Sequence, residues 1–390
     1  MFSSRVPADL GPNPLAAAVE RMRLSGSGFE DLTVSNPTAA GIDYPPALLA
    51  PLADPCALRY EPQPFGLPMA RQAVAADYAR RGLRVPPSNV VLTASSSESY
   101  AMLFKLLCDP GESVLVPTPS YPLFEHLTRL DNVHALPYAT EYHGTWTIDL
   151  DHLRYTIDDT TRAILVVSPS NPTGAWLKRD ELTALTELCA AHHLALIGDE
   201  VFCDYPIDPA PGAVRSVIER GDVLTISLGG LSKSVGLPQL KLGWMALNGP
   251  AALLQGALMR LELIADTYLS VSTPVQAAAR AMLDEGPVIR KQIRQRVLQN
   301  YRLLQDGCLD RCPACQVLRA EGGWSAVVRI PRTMPEDEQV IRLLEEDHVL
   351  VHPGYFFDFP RDGYLVVSLL TRPDVFRSGV ERLLAAVARA

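Results

Sequence analysis

Between residues 89 and 244 the chain alternates short aliphatic runs with longer helix-like stretches, and few folds accept that rhythm. The runs fall at 89–93, 113–116, 162–167, 194–198, 223–227 and 242–246. Most are continuously apolar rather than alternating, as strands covered by helices on both faces must be. The pattern predicts an α/β fold built on a mainly parallel sheet. The two ends of the chain differ. Residues 13–23 read as a helix with Asn13 as cap and Pro14 at the first helical position. Beyond Val275 come amphipathic helices, including 287–305, and apparent strands near 325–330, 350–352 and 364–369. This predicts a smaller α+β domain assembled from both ends: an N-terminal arm over 1–45, a large domain over 46–275 and a C-terminal small domain over 276–390.

Charge and cysteine content narrow the function classes. With 35 basic and 44 acidic residues the net charge is −9 and no Lys/Arg block is present, which argues against nucleic acid or an anionic membrane as partner. No apolar stretch approaches the roughly 20 residues needed to cross a bilayer, and the start lacks a secretory apolar core, so a cytoplasmic location is expected. Seven irregularly spaced cysteines fit a reducing compartment. Cys308, Cys312 and Cys315 cluster, but no matching second ligand pair lies nearby, so free thiols are expected there and no metal.

In an open parallel sheet, ligands bind beyond the carboxyl ends of the strands. Four such ends carry distinctive chemistry: Ser95-Ser96-Ser97-Glu98, Ser170-Asn171-Pro172-Thr173-Gly174, Asp199-Glu200-Val201-Phe202, and Ser232-Lys233. Each has a structural explanation taken alone; Ser95 with Glu98, for instance, matches a capping box. Together they have a joint chemical logic. Serines at a helix N-terminus suit a phosphate, a buried carboxylate needs a cationic partner, and a lysine in the same cleft can form a Schiff base. Phosphate, protonated ring nitrogen and carbonyl carbon are the handles of pyridoxal phosphate.

Over nearly its whole length the sequence resembles the class I/II aminotransferases, fold type I pyridoxal-phosphate enzymes. The resemblance rests on ordered signatures: Tyr60 with Gly66-Leu67-Pro68, Pro110-Gly111-Glu112, Pro119-Ser120-Tyr121-Pro122, Asn171-Pro172-Thr173-Gly174, Asp199-Glu200-Val201-Phe202, Ser232-Lys233 with Gly236-Leu237-Pro238, and Leu242-Gly243-Trp244. It implies a seven-stranded-type sheet in a large cofactor domain. It also implies that Lys233 forms the internal imine and later shuttles the α-proton, that Asp199 keeps the pyridine nitrogen protonated, that Asn171 donates to the phenolate oxygen, and that Tyr121 stacks on the ring. Ser96 and Ser97, helped by Ser232 and Lys241, would bind the phosphate. Tyr60 would reach the phosphate of a neighbouring subunit, so a homodimer with shared active sites is implied.

Departures from the family pattern carry information too. Phe202 stands where the family usually has a tyrosine that donates to the phenolate oxygen. Gly230 replaces a usual Ser or Thr, Ser95 a common Gly, and Lys241 a usual Arg. Val366 occupies the register of the arginine that clamps the substrate α-carboxylate, leaving Arg372 as the nearest substitute and His352 as a weaker one. Asn36, Asn171 and Arg372 are the expected substrate contacts. The implied activity is amino transfer between an amino-acid or amine donor and a keto or aldehyde acceptor; a lyase or cyclase on a modified amino acid is the alternative that Phe202 and Val366 leave open.

Overall fold

The computed structural model describes residues 2–389. Its strands run in chain order as β1 (Glu30–Asp31), β2 (Val90–Thr93), β3 (Ser113–Thr118), β4 (His134–Tyr142), β5 (Trp146–Ile148), β6 (Thr161–Val167), β7 (Ala195–Asp199), β8 (Thr225–Gly230), β9 (Gly243–Asn248), β10 (Gln316–Val317), β11 (Ser325–Arg329), β12 (Val349–Leu350), β13 (His352–Pro353) and β14 (Tyr364–Ser368). Eight of them form one sheet in the order β2-β9-β8-β7-β6-β3-β4-β5. The pairs β4/β3, β3/β6, β6/β7 and β7/β8 are parallel, while β9 is antiparallel to both β8 and β2. All six aliphatic runs are strands of this sheet, and the α/β expectation holds.

The sheet has two strands that the sequence did not signal, β4 and β5. β5 lies at the edge, and β4 has an irregular, half-exposed burial pattern, so neither leaves a continuous apolar run. The interior strands β7 and β8 are buried at every position, and so is β2 at the opposite edge of the sheet.

Register decides where the site falls. Val167, Asp199 and Leu228 are aligned across β6, β7 and β8, and Gly243 pairs with both Thr93 and Gly230. The carboxyl ends of β2, β6, β7 and β8 therefore share one edge.

The chain ends meet, as expected. β1 pairs in parallel with β12, Glu30 opposite Val349, beside a four-stranded antiparallel sheet ordered β10-β11-β14-β13. The N-terminal helix is Pro14–Leu24, with the Asn13 side chain accepting from the Ala16 amide at 2.8 Å. The separate helices expected after residue 275 are instead one helix, Thr273–Arg311, 39 residues long, running through Pro287. A proline there removes one backbone donor. The helix continues because its buried stripe, Ala278, Met282, Gly286, Ile289, Ile293, Val297 and Leu304, keeps three-and-four spacing on both sides of the proline.

Candidate active site

The shared strand edge opens into a cleft lined by Ser96, Ser97, Tyr121, Asn171, Asp199, Phe202, Ser232 and Lys233, with Tyr100, Trp324 and Ser325 among its other walls. Eight of the twelve residues singled out from sequence thus converge.

The floor begins at the helix Ser96–Leu107. Its N-cap is Ser95, whose hydroxyl accepts from the Glu98 amide at 3.2 Å, while the Glu98 carboxylate accepts from the Ala94 amide at 2.5 Å. The capping pair is real, and it leaves Ser96 and Ser97 facing the cleft. The first amides of a helix lack intrahelical partners and carry the positive end of its dipole. Gly243 lets β9 press on this turn: a Cβ there would lie 2.9 Å from the Ser95 carbonyl carbon.

Asp199, at the end of β7, accepts from the Tyr100 hydroxyl at 2.8 Å and from the Val201 amide at 3.2 Å. Burial pushes its carboxyl pKa up; the Tyr100 and Val201 hydrogen bonds and the Lys233 charge oppose this without cancelling it. Its neighbour Glu200 points the other way, into a buried nest of Ser216 (2.8 Å), the Val217 amide (2.8 Å) and Ser227 (2.6 Å), and is structural.

Lys233 lies in the short helix Leu231–Ser234, directly after β8. Its amine sits 5.0 Å from the Trp324 ring centroid and 5.5 Å from that of Phe202, and the two rings meet edge to face at 5.4 Å. Burial pushes the lysine pKa down, partly offset by Asp199. The backbone beneath is anchored twice. Tyr205 donates to the carbonyls of Lys233 (2.6 Å) and Ser234 (3.0 Å). Arg290, from the long helix, donates to the Ser234 carbonyl and hydroxyl and pairs with Asp77 (3.0 Å) and Asp204 (3.3 Å). Burial disfavours the Asp204 charge, but Arg290 and Arg80 hold its pKa below the usual carboxylate value. Sequence reasoning missed Tyr100, Tyr205, Arg290 and Trp324. Only Trp324, following Gly322-Gly323, had a local signal; Tyr100 and Tyr205 lie within one turn of Ser97 and Phe202 with nothing in the sequence to mark them, and Arg290 is brought in from a distant helix.

Asn171 accepts from Ser325 at 3.2 Å through its amide oxygen, which leaves the amide nitrogen to donate. Tyr121 is 38% exposed at the mouth.

Four expected residues lie elsewhere. Arg372 is on the surface, paired with Asp374 at 2.8 Å, because it begins the turn into the C-terminal helix Pro373–Arg389 and does not face the cleft. Asn36 is exposed and spends its side-chain oxygen on Thr38. Lys241 is exposed at a left-handed position between Leu240 and β9, and Tyr60 is 74% exposed. Val366 pairs with Val327 and His352 and is sealed in an apolar cluster with Trp146, Phe357 and Phe359. His352 packs on Phe356 and Phe357, and its pKa is pushed down by burial.

A mainly parallel sheet with a lysine and a carboxylate at its carboxyl edge offers a binding crevice at the usual place for such folds, and comparison with known proteins supplies the class. Residues 51–382 match the family model described as aminotransferase class I and II. The chain belongs to that family and is a transferase enzyme, an aminotransferase. It is 28% identical over 374 residues to the glutamate-pyruvate aminotransferase AlaA of Escherichia coli K12, covering 93% of this chain and 91% of the relative. It is also 28% identical over 386 residues to an alanine aminotransferase of Mycobacterium tuberculosis, covering 95% and 88%. Among solved structures, an aminotransferase from Escherichia coli superposes with a TM-score of 0.88 at 26% identity, covering 100% of this chain and 98% of that one. The alanine aminotransferase of Pyrococcus furiosus, at 24% identity and full coverage of both chains, shares the fold with a TM-score of 0.90. No helix among the described residues is long and apolar enough to cross a membrane.

Proposed function

We propose that this aminotransferase binds pyridoxal phosphate in the cleft and moves an amino group between an amino-acid or amine donor and a keto or aldehyde acceptor. The observation that carries the reading is the placement of a buried amine, Lys233, in one cleft with a buried carboxylate, Asp199, and an open helix N-terminus at Ser96 and Ser97. These three groups match the aldehyde, the ring nitrogen and the phosphate. When bound, the cofactor supplies a carbonyl that captures amines and a ring that withdraws electrons from the donor's Cα–H bond.

The protein's part follows from its own groups. The helix N-terminus, with the Ser96, Ser97 and Ser232 hydroxyls, holds a dianion; Lys241, outside the cleft, adds positive charge at longer range. Asp199 would hold the ring nitrogen and favour its protonated form. Asn171, its oxygen engaged by Ser325, would offer its amide N–H₂ to the phenolate oxygen. Tyr121 would cover the ring at the mouth. The Phe202 and Trp324 rings exclude water from Lys233, and the burial that favours its neutral amine lets it take and return a proton.

Among the described residues lining the cleft, Lys233 is the single basic side chain. A donor carboxylate therefore meets no arginine of this chain there, which supports a donor range open to amines as well as amino acids. We further propose a homodimer, with the exposed Tyr60 reaching the partner's site, and a reducing cytoplasmic setting for its seven unbridged cysteines.

Borohydride reduction of the protein loaded with pyridoxal phosphate, followed by peptide mapping, tests the reading. The label is expected on Lys233. A protein that takes up no cofactor, or carries it on another lysine, overturns it.

A further inference from the structure

The Tyr100 hydroxyl is the only side-chain group that hydrogen-bonds Asp199 among the described residues. The residue is 2% exposed, and its ring packs on Phe104 at 6.0 Å and Phe124 at 5.5 Å. A phenylalanine would fill that space equally well. What the tyrosine adds is a buried O–H, and a buried O–H takes a partner; here the partner is the Asp199 carboxylate, 2.8 Å away. Tyr100 also lies one turn along the helix that begins at Ser96, so one rigid element presents both the anion seat and the support for the carboxylate.

We propose that Tyr100 is a positioning residue: its hydroxyl fixes the Asp199 carboxylate and takes up part of its charge, so that a proton shared with a bound pyridine nitrogen stays on the ring. This rests on the cofactor reading above. The titratable groups close enough to Asp199 to act on it or feel its charge are Tyr100, Tyr121 and Lys233. Of the influences that oppose burial, the Tyr100 hydrogen bond is the largest, ahead of the Val201 amide and the Lys233 charge. Without it the carboxylate is more basic and competes better for the shared proton. A hydrogen bond to a charged group corresponds to a factor of about ten or more in that proton equilibrium.

The test is Tyr100→Phe, read in two ways on the full-length chain. With the cofactor stripped and aspartate ¹³C-labelled at the side-chain carboxyl, the Asp199 titration midpoint is expected to rise by about one pH unit or more, a tenfold effect. With ¹⁵N-labelled pyridoxal phosphate bound, the ring-nitrogen resonance is expected to move toward its unprotonated position. A tyrosine that only fills space would move neither, and an unchanged midpoint in the stripped protein overturns the proposal. If the wild type binds no cofactor, the cofactor reading fails while the first measurement still judges Tyr100. Should Tyr100→Phe not fold, 3,5-difluorotyrosine at the same position, a stronger donor at near-constant shape, is expected to lower the Asp199 midpoint; a midpoint that stays or rises overturns the proposal.

Discussion

Phe202→Tyr puts one hydroxyl where the sequence departs most visibly from its family. The wild-type ring is 8% exposed, meets Trp324 edge to face at 5.4 Å and has its centroid 5.5 Å from the Lys233 amine. With pyridoxal phosphate bound as proposed, the phenolate oxygen would have no tyrosine donor at this position and would lean harder on the proton of its imine link to Lys233, so that link would stay protonated to higher pH. An added O–H that donates to the phenolate withdraws charge from it and loosens that proton. A hydrogen bond to a charged acceptor contributes about 1.5–3 kcal/mol, and one pKa unit is about 1.36 kcal/mol. The imine pKa is therefore expected to fall by about one to two units in the mutant. The assay is a pH titration of the visible absorption band of the loaded protein. In the stripped protein the same hydroxyl is buried without its acceptor, at a cost of about 1–3 kcal/mol, so the mutant should melt lower when empty and recover when loaded. An imine pKa that stays or rises in Phe202→Tyr would refute the reasoning.

Three further outcomes are expected. Arg290→Met leaves Asp77 and Asp204 with Arg80 alone; losing one partner of a buried ion pair costs about 3–5 kcal/mol, and the remaining Arg80 places the urea-measured loss at the lower end. Because the folded Asp204 pKa is depressed, its stabilisation is full above the unfolded carboxylate range and disappears as pH falls through the folded value; an Arg290→Met protein that unfolds in acid at the wild-type pH would contradict this. Gly243→Ala drives a Cβ to 2.9 Å from the Ser95 backbone and displaces the helix N-terminus, so cofactor affinity measured by fluorescence should fall about tenfold or more, the equivalent of losing one hydrogen bond to a charged group at about 1.5–3 kcal/mol. In a donor screen read by loss of the cofactor band, amines lacking a carboxylate should react within about tenfold of matched α-amino acids, since the cleft offers no charge-assisted clamp of about 1.5–3 kcal/mol; a preference above 1000-fold for the amino acids on a scale of about 1.4 kcal/mol per decade would sink that reading.

The central strands were legible because both their faces are buried. β6 and β7 leave uninterrupted aliphatic runs, Ala163–Val167 and Leu194–Ile197, and β8 keeps Ile226 and Leu228 despite Thr225 and Ser227. β4 was invisible for the opposite reason: Pro137 and the exposed His134 and Glu141 break the run, and the strand is held by its parallel partner β3 rather than by its own apolar content. Proline misled again at Pro287, where a local breaker signal was outweighed by a stripe of buried contacts lasting the length of a 39-residue helix. In both cases the deciding energy came from residues far away in the chain.

The same division runs through the cleft. Lys233, Asp199 and Asn171 sit at or just past strand ends, the positions from which an open sheet presents side chains to a crevice, and the structure brings all three to one cleft. Arg372 could not be placed in that way, because distance along the chain says nothing about direction. On β14 the side chains alternate, so Val366 shares a face with Tyr364 and Ser368. Val366 and Tyr364 are both buried in the same apolar cluster. Six residues beyond Val366 the strand has ended, and the next residue, Pro373, starts a helix. A guanidinium at Arg372 is carried outward to Asp374 by that turn, and moving it to the cleft would require the strand or the helix to change register. Neither β14 nor the turn that follows it therefore brings a guanidinium to the cleft, which is why the donor screen is expected to show little preference for a carboxylate.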